Sequence, residues 1–322
     1  MGWDWLASVR VYLPSLPSYK EYDPFPAYKK KIAWASQRRG LAFLHEGNYD
    51  RALEAYDDAI QYQPDLAEAF SNRGCVFIEK AEYDRAIQDC NRAIGIKPDL
   101  ARALCNRGTA YLGKGDCERA IQDYDQAIRL KPDLAIAFNN RGSVFLLKRD
   151  LERAVQDYDR AIELQPDLAM AFRDRGIVAF CDHRFPQAKK DCAEAVRLDP
   201  KDSHNLIWLY LANARDGQPD KTQLEGQLTT LDLAKWPGPA IEFLLGSSTR
   251  EALLAASHDE NLYKEREQRC AAHFFIGQCE LLKGDLLQAA SSFRKVIASG
   301  ATNCLEYVAA EAELQDLNNG RQ

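Results

Sequence analysis

Small and apolar side chains return along this chain at a fixed interval, with polar residues in the same order between them. From Ala33 the pattern restarts every 34 residues, at Ala67, Ala101, Ala135 and Ala169. Counted from those starts, place eight is Gly40, Gly74, Gly108, Gly142 and Gly176, and place twenty is Ala52, Ala86, Ala120, Ala154 and Ala188. Place twenty-seven is Ala59, Ala93, Ala127, Ala161 and Ala195; place thirty-two is Pro64, Pro98, Pro132, Pro166 and Pro200. A period of this length predicts stacked helix-turn-helix units rather than a closed globule. Small residues at places eight and twenty let two helices of one unit touch, and the alanine at twenty-seven admits the next unit. Overfilling such a contact costs about 1–3 kcal/mol. Aromatic residues, Phe43, Phe77, Tyr111 and Phe145 at place eleven and Tyr56, Tyr124 and Tyr158 at place twenty-four, are expected in the core.

With these glycine, alanine, aromatic and proline positions, residues 33–202 resemble five tetratricopeptide repeats. The resemblance implies an all-α fold, a right-handed superhelical solenoid of stacked helix pairs with a C-terminal capping helix. Each unit would hold a helix A over roughly its first 14 places and a helix B over roughly places 16 to 30. Asp65, Asp99, Asp133 and Asp167 stand where they would cap helix A, and Asn48, Asp116 and Asp150 where they would cap helix B. The proline directly before each of Asp65, Asp99, Asp133 and Asp167 stops the preceding helix.

Past Pro200 the regular pattern fades, although helical apolar spacing continues through Leu206, Trp208, Leu209 and Leu211. The expected organisation is an arm over residues 1–27, five regular repeats over 28–202, divergent helical repeats over 203–269, and a final repeat with its capping helix over 270–322. That last unit carries Gly277, Ala289 and Phe293 at places eight, twenty and twenty-four, with Gly284 and Asp285 in its turn. The C-terminal third also resembles the NlpI-type adaptors of Gram-negative bacteria (new lipoprotein I), through Trp236-Pro237, Leu244-Leu245-Gly246, Phe274 to Gly277 and Asn303 to Tyr307. That resemblance implies docking of partner proteins at an envelope surface. The first residues, Met1-Gly2-Trp3-Asp4-Trp5, lack the basic and apolar regions of a lipoprotein signal. In the arm, Trp3, Trp5, Tyr12, Tyr19 and Tyr22 either pack on the first unit or serve as a docking segment.

Charge and composition narrow the function. The chain has 322 residues and a net charge of −6, which gives no general attraction to a phosphate backbone. No apolar run approaches the roughly 18 residues of a membrane-spanning helix. Nucleic acid and a transmembrane role are therefore excluded from the expected partners. Of nine cysteines, Cys90 and Cys192 take the aromatic place twenty-four as small hydrophobes, and Cys75 and Cys105 fall on helix A of adjacent units. Core-placed thiols suit a reducing compartment, which favours a cytoplasmic location; the alternative is a periplasmic or envelope-associated one if the native N-terminus is missing.

Candidate chemistry is sparse. Cys270 and His273 share a helical face but Cys279 turns away, so no metal set forms. His183 beside Cys181 and Asp182 has no orienting partner for nucleophilic catalysis. The glycines are taken by repeat places and turns, leaving no phosphate loop and no expected cofactor. A non-enzymatic scaffold follows, with its binding surface on the inner face of the A helices. There, place six is Asn72, Asn106, Asn140 and Asp174, flanked by Arg102, Asn139, Arg173 and Met170 at places two and five. An asparagine row can donate to and accept from an extended peptide backbone. The known clamps for acidic C-termini also use Lys or Arg and Asn at fixed groove places, but here Gln37, Leu41, Ser71, Cys75 and Ile136 occupy the matching places, and only the Asn members and Arg102 remain. Peptide contact is thus expected from Asn72, Arg102, Asn106, Asn139, Asn140, Arg173 and Asp174. The alternative is a self-associating assembly factor whose groove holds its own N-terminal arm. A bracing role stands beside the binding role: Arg39, Arg73, Arg107, Arg141 and Arg175 at place seven face Asp89, Asp123, Asp157 and Asp191 at place twenty-three, and the asparagines sit one place from those arginines.

Overall fold

The computed structural model describes residues 26–228 and 231–320. Seventeen helices and no strand occur among them. Ten of these form five consecutive antiparallel pairs: α1 (Pro26–His45) with α2 (Tyr49–Tyr62), α3 (Ala67–Glu79) with α4 (Tyr83–Ile96), α5 (Ala101–Gly113) with α6 (Cys117–Leu130), α7 (Ala135–Leu147) with α8 (Leu151–Leu164), and α9 (Ala169–Cys181) with α10 (Phe185–Leu198). Each pair packs on the next, so the array is a solenoid in which the core is a continuous strip between helices.

The repeated small residues do what close packing demands. The alanines at places twenty and twenty-seven are fully buried in all five units. At place eight, a Cβ on Gly108 would lie 2.8 Å from the Tyr124 ring, and one on Gly142 would lie 2.9 Å from the Tyr158 ring. In the second and fifth units the place-twenty-four residue is Cys90 or Cys192, and the sulfur sits against Gly74 or Gly176 instead. Place eleven differs from the expectation of core. Phe77 and Phe145 are buried, but Phe43 and Tyr111 are half exposed. All four of these rings are covered by arginines in the first turn of helix B: Arg85 lies 3.9 Å over Phe77, Arg153 4.3 Å over Phe145, Arg119 4.6 Å over Tyr111, and Arg51 5.3 Å over Phe43.

Capping divides the two turn classes. Asn48, Asp116 and Asp150 accept from the backbone N–H three residues on, as expected for the starts of α2, α6 and α8. Asp65, Asp99, Asp133 and Asp167 do not cap. The N-cap residues of α3, α5, α7 and α9 are Leu66, Leu100, Leu134 and Leu168, without a side-chain cap bond. Each leucine N–H closes a turn onto the residue before the proline, as in Leu134 N to Lys131 O at 3.1 Å. The Pro-Asp pair therefore forms the two central positions of a β-turn, where proline presets the first φ.

Beyond the fifth pair come α11 (Ser203–Arg215), α12 (Thr222–Gln227), α13 (Gly238–Leu245), α14 (Arg250–Ala256), α15 (Leu262–Leu282), α16 (Leu286–Ala298) and α17 (Leu305–Asn319). Every residue of α11 from Asn205 to Ala214 is buried. The repeat pattern fades there because the middle of α11 has no solvent face: α9, α10, α12, α13 and α15 all pack against it. α15 starts at Leu262, capped by Asn261, whose Oδ1 accepts from the N–H groups of Tyr263 and Lys264. α17 closes the last pair and also packs on α7 and α9, joining both ends of residues 135–319 in one hydrophobic core built around Phe180, Trp208, Phe274 and Phe293.

Candidate functional site

The A helices α3, α5, α7 and α9 carry the candidate side chains, and the structure divides them into two groups. On α3 and the start of α5 the inner positions are accessible. Asn72 is half-buried and makes no side-chain hydrogen bond among the described residues, and Arg102 is exposed without an ion pair among them. On the neighbouring α1, Trp34 is 58% exposed with the Arg38 guanidinium 4.9 Å from its ring, and Leu41 is 41% exposed. Together these give an open face with cationic, amide and aromatic character.

The asparagines at place six also brace the stack. Asn106 Nδ2 donates to Ser71 O at 3.0 Å and to Ser71 Oγ at 3.2 Å, and Asn140 Nδ2 donates to Thr109 Oγ1 at 3.2 Å. Each amide thus ties its helix to the preceding A helix while remaining half-buried. Cys75 and Cys105 line the same strip, and burial pushes their thiols up to about 11 and about 12, so they stay protonated.

Asn139, Arg173 and Asp174 depart from the expectation of an open ligand contact. Asn139 and Asp174 are 2% and 3% exposed. Asn139 Nδ2 donates to Asp174 Oδ2 at 3.2 Å, Arg173 reaches Asp174 Oδ1 and Asp202 Oδ2 at 3.0 Å each, and Ser143 Oγ donates to Asp174 Oδ2 at 3.4 Å. Burial alone would raise the Asp202 carboxyl. The hydrogen bond from His204 and the Arg173 charge outweigh it and hold the group at about 2. The stretch closes on its own network: Asp174 takes bonds from Asn139 and Ser143 of α7, Asp202 before α11 holds Arg173, and both α11 and α17 pack on α9.

Four further contacts run along the turns between the A and B helices. Asn261 Nδ2 donates to Lys80 O at 3.0 Å, Asn303 Nδ2 to Gly113 O at 3.5 Å, Arg149 pairs with Glu311 at 3.0 Å, and His183 Nε2 with Asp316 at 2.9 Å. His183 therefore meets a carboxylate of α17 rather than a nucleophile. Sequence reasoning missed this seam. A signal existed at place fifteen, where Gly47 and Gly115 adopt φ of 71° and 80°, while Arg149 and His183 hold φ of 63° and 54°. An L-residue in the left-handed region costs about 1–2 kcal/mol, so charged side chains where glycine fits better mark a contact.

The place-seven arginines do brace the solenoid. Arg73, Arg107, Arg141 and Arg175 each hold the place-twenty-three aspartate of their own unit through two bonds, as Arg107 does Asp123 at 2.8 and 2.6 Å. The remaining Nη1 reaches back to helix B of the previous unit, at Asp57, Asn91, Asp125 and Asp159, 2.5 to 2.7 Å away. Among the described residues no group of three or more metal-ligating side chains converges. No helix among them is long and apolar enough to cross a membrane. The aromatic arm of residues 1–27 lies outside the described side chains, and so does any packing of it in the groove.

Comparison with known proteins agrees with this architecture. The tetratricopeptide-repeat family model matches residues 38–101 and 105–169. The crystal structure of TTC0263, a thermophilic TPR protein of Thermus thermophilus, is 21% identical, covers 56% of this chain and 98% of its own, and superposes with a TM-score of 0.52. Pseudomonas aeruginosa pilF is 17% identical over 69% of this chain and all of its own, also with a TM-score of 0.52. At these identities the two structures share the fold with this chain.

Proposed function

This chain is built on tetratricopeptide repeats, and from that premise we propose a non-catalytic adaptor that holds an extended or helical segment of a partner protein on the inner face of α1, α3 and α5. Asn72, Arg102 and Asn106 make the contacts, and Asn139, Asn140, Arg173 and Asp174 support them from within the array. The observation that carries this reading is the contrast between the two halves of the groove. Asn139 and Asp174 are buried where α17 packs on α7 and α9, whereas Asn72 and Arg102 have no hydrogen-bond or ion-pair partner among the described residues, and Trp34 and Leu41 stand exposed on α1. An amide and a guanidinium suit the backbone and acidic groups of a bound segment, and the aromatic surface suits its apolar side chains.

All nine cysteines are free thiols, six of them buried, which supports a reducing compartment such as the cytoplasm. The test is capture of partners from a lysate of the native host, quantified by mass spectrometry. An Asn72→Ala, Arg102→Ala, Asn106→Ala variant is compared with Glu163→Ala on the outer helix α8. Loss of a partner from the groove variant alone supports the adaptor reading; equal capture by all forms refutes it.

A further inference from the structure

α15 and the end of α16 line a second, open pocket. Leu262, Glu265, Arg266, Arg269 and His273 fall on one face of α15 at helical spacing, and with Lys295 and Ser299 they line a cavity of about 440 Å³. Three permanent cations meet a single carboxylate there, in a chain whose net charge is −6. That carboxylate, Glu265, is already engaged by His258 Nδ1 at 3.2 Å and Arg269 Nη1 at 3.4 Å. Arg266 and Lys295 make no ion pair with a described residue, although Arg266 lies 5.7 Å over the Tyr263 ring.

Two nitrogens of the lining residues, Arg266 Nε and His273 Nδ1, are shielded from solvent and have no hydrogen-bond partner among the described residues. Buried polar nitrogens are nearly always satisfied, so two unpartnered ones in these lining residues leave hydrogen-bonding capacity unused beside the cation cluster. The neighbouring Arg250 adds to the positive field but is bound to Glu280 at 2.9 Å. Three cations against one carboxylate leave an excess of two positive charges, which matches a dianion better than a single carboxylate.

We propose that this cavity binds a phosphate-type dianion, gripped by Arg266, Arg269 and Lys295 with His273 at its side. Guanidinium groups meet phosphate oxygens through paired, directional N–H donors, and the ammonium adds a point charge. His273 serves as a neutral donor, because burial and the surrounding cations keep its imidazole uncharged at neutral pH.

The test follows the imidazole signals of the full-length protein by NMR while inorganic phosphate is added at constant ionic strength and about pH 8, where phosphate carries close to two charges. The His273 signal should shift and saturate, with binding roughly tenfold weaker in Lys295→Gln and in Arg266→Gln, each of which removes a charge-assisted contact. Lys295 is exposed, so its replacement tests the site without disturbing the core. A His273 signal unmoved by phosphate, moved equally by acetate or chloride, or still saturating unchanged in Lys295→Gln would overturn the assignment.

Discussion

Arg149, held at φ 63° in the turn between α7 and α8, pairs with Glu311 of α17 at 3.0 Å, although the two stand 162 residues apart. One turn further along the array His183 does the same with Asp316. Both pairs mark where the C-terminal helices return to the repeat array, and the closed and open halves of the groove follow from that return.

The grip of α17 is apolar rather than ionic. Arg149 and Glu311 are each about a third or more exposed on their side chains, and such pairs contribute about 0–1 kcal/mol. Glycine would relieve a similar backbone cost. Arg149→Gly should therefore change stability by less than about 1 kcal/mol, whereas Val308→Asp, at a site 1% exposed, should cost more than about 3 kcal/mol. Chemical denaturation of both variants checks the contrast.

The arginine ladder should dominate the polar contribution to stability. Asp123 is 5% exposed and holds two bonds from Arg107. Asp123→Ala leaves that guanidinium short of its partner and should cost about 3–5 kcal/mol. Asp133, in a β-turn and exposed, caps nothing, so Asp133→Ala should stay within about 0.5 kcal/mol. Equal effects in urea unfolding would contradict the division of roles.

Two glycines should respond with opposite signs. Gly108→Ala drives a methyl to 2.8 Å from the Tyr124 ring and should destabilise by about 1–3 kcal/mol. Gly95 lies inside α4, exposed, with nothing within 4 Å of a built Cβ. Gly95→Ala should stabilise by about 0.5–1 kcal/mol, read as a raised midpoint in thermal unfolding.

Acid should weaken the C-terminal part through His273. Burial first, then the charges of Lys295, Arg250 and Arg269, push its imidazole down to about 4, against an ordinary value of 6.5. Between those values the unfolded chain binds more protons than the folded one. The stabilisation is complete above the unfolded value and declines as pH falls toward the folded one. Denaturant midpoints taken from neutral pH down through that window should fall, and His273→Gln should flatten the decline.

The regular units were legible because each place serves one packing role. Ala120 and Ala154 sit at the same buried contact, and Arg107 and Arg141 each reach the aspartate at the same place of their own unit. The aspartates before the A helices misled because Asp serves a turn and an N-cap alike, and only the backbone tells them apart. α11 blurred for a physical reason, since a helix buried on every side carries no amphipathic period. The place-six row was visible, but its division was not: Asn72 stays accessible while Asp174 is buried in the part of the array where α11 and α17 pack back on α9, contacts between residues far apart in the chain. The phosphate-type cavity left no motif, because Arg266 and Lys295 come from different helices.

The central claim is that the groove binds through its open half. Hydrogen exchange of the full-length protein, with and without a partner captured by the groove, tests it most directly. The account predicts new protection confined to α1, α3 and α5, with α7, α9 and α17 unchanged. Protection concentrated on α7 and α9, or on the outer helices α4, α6 and α8, would contradict it.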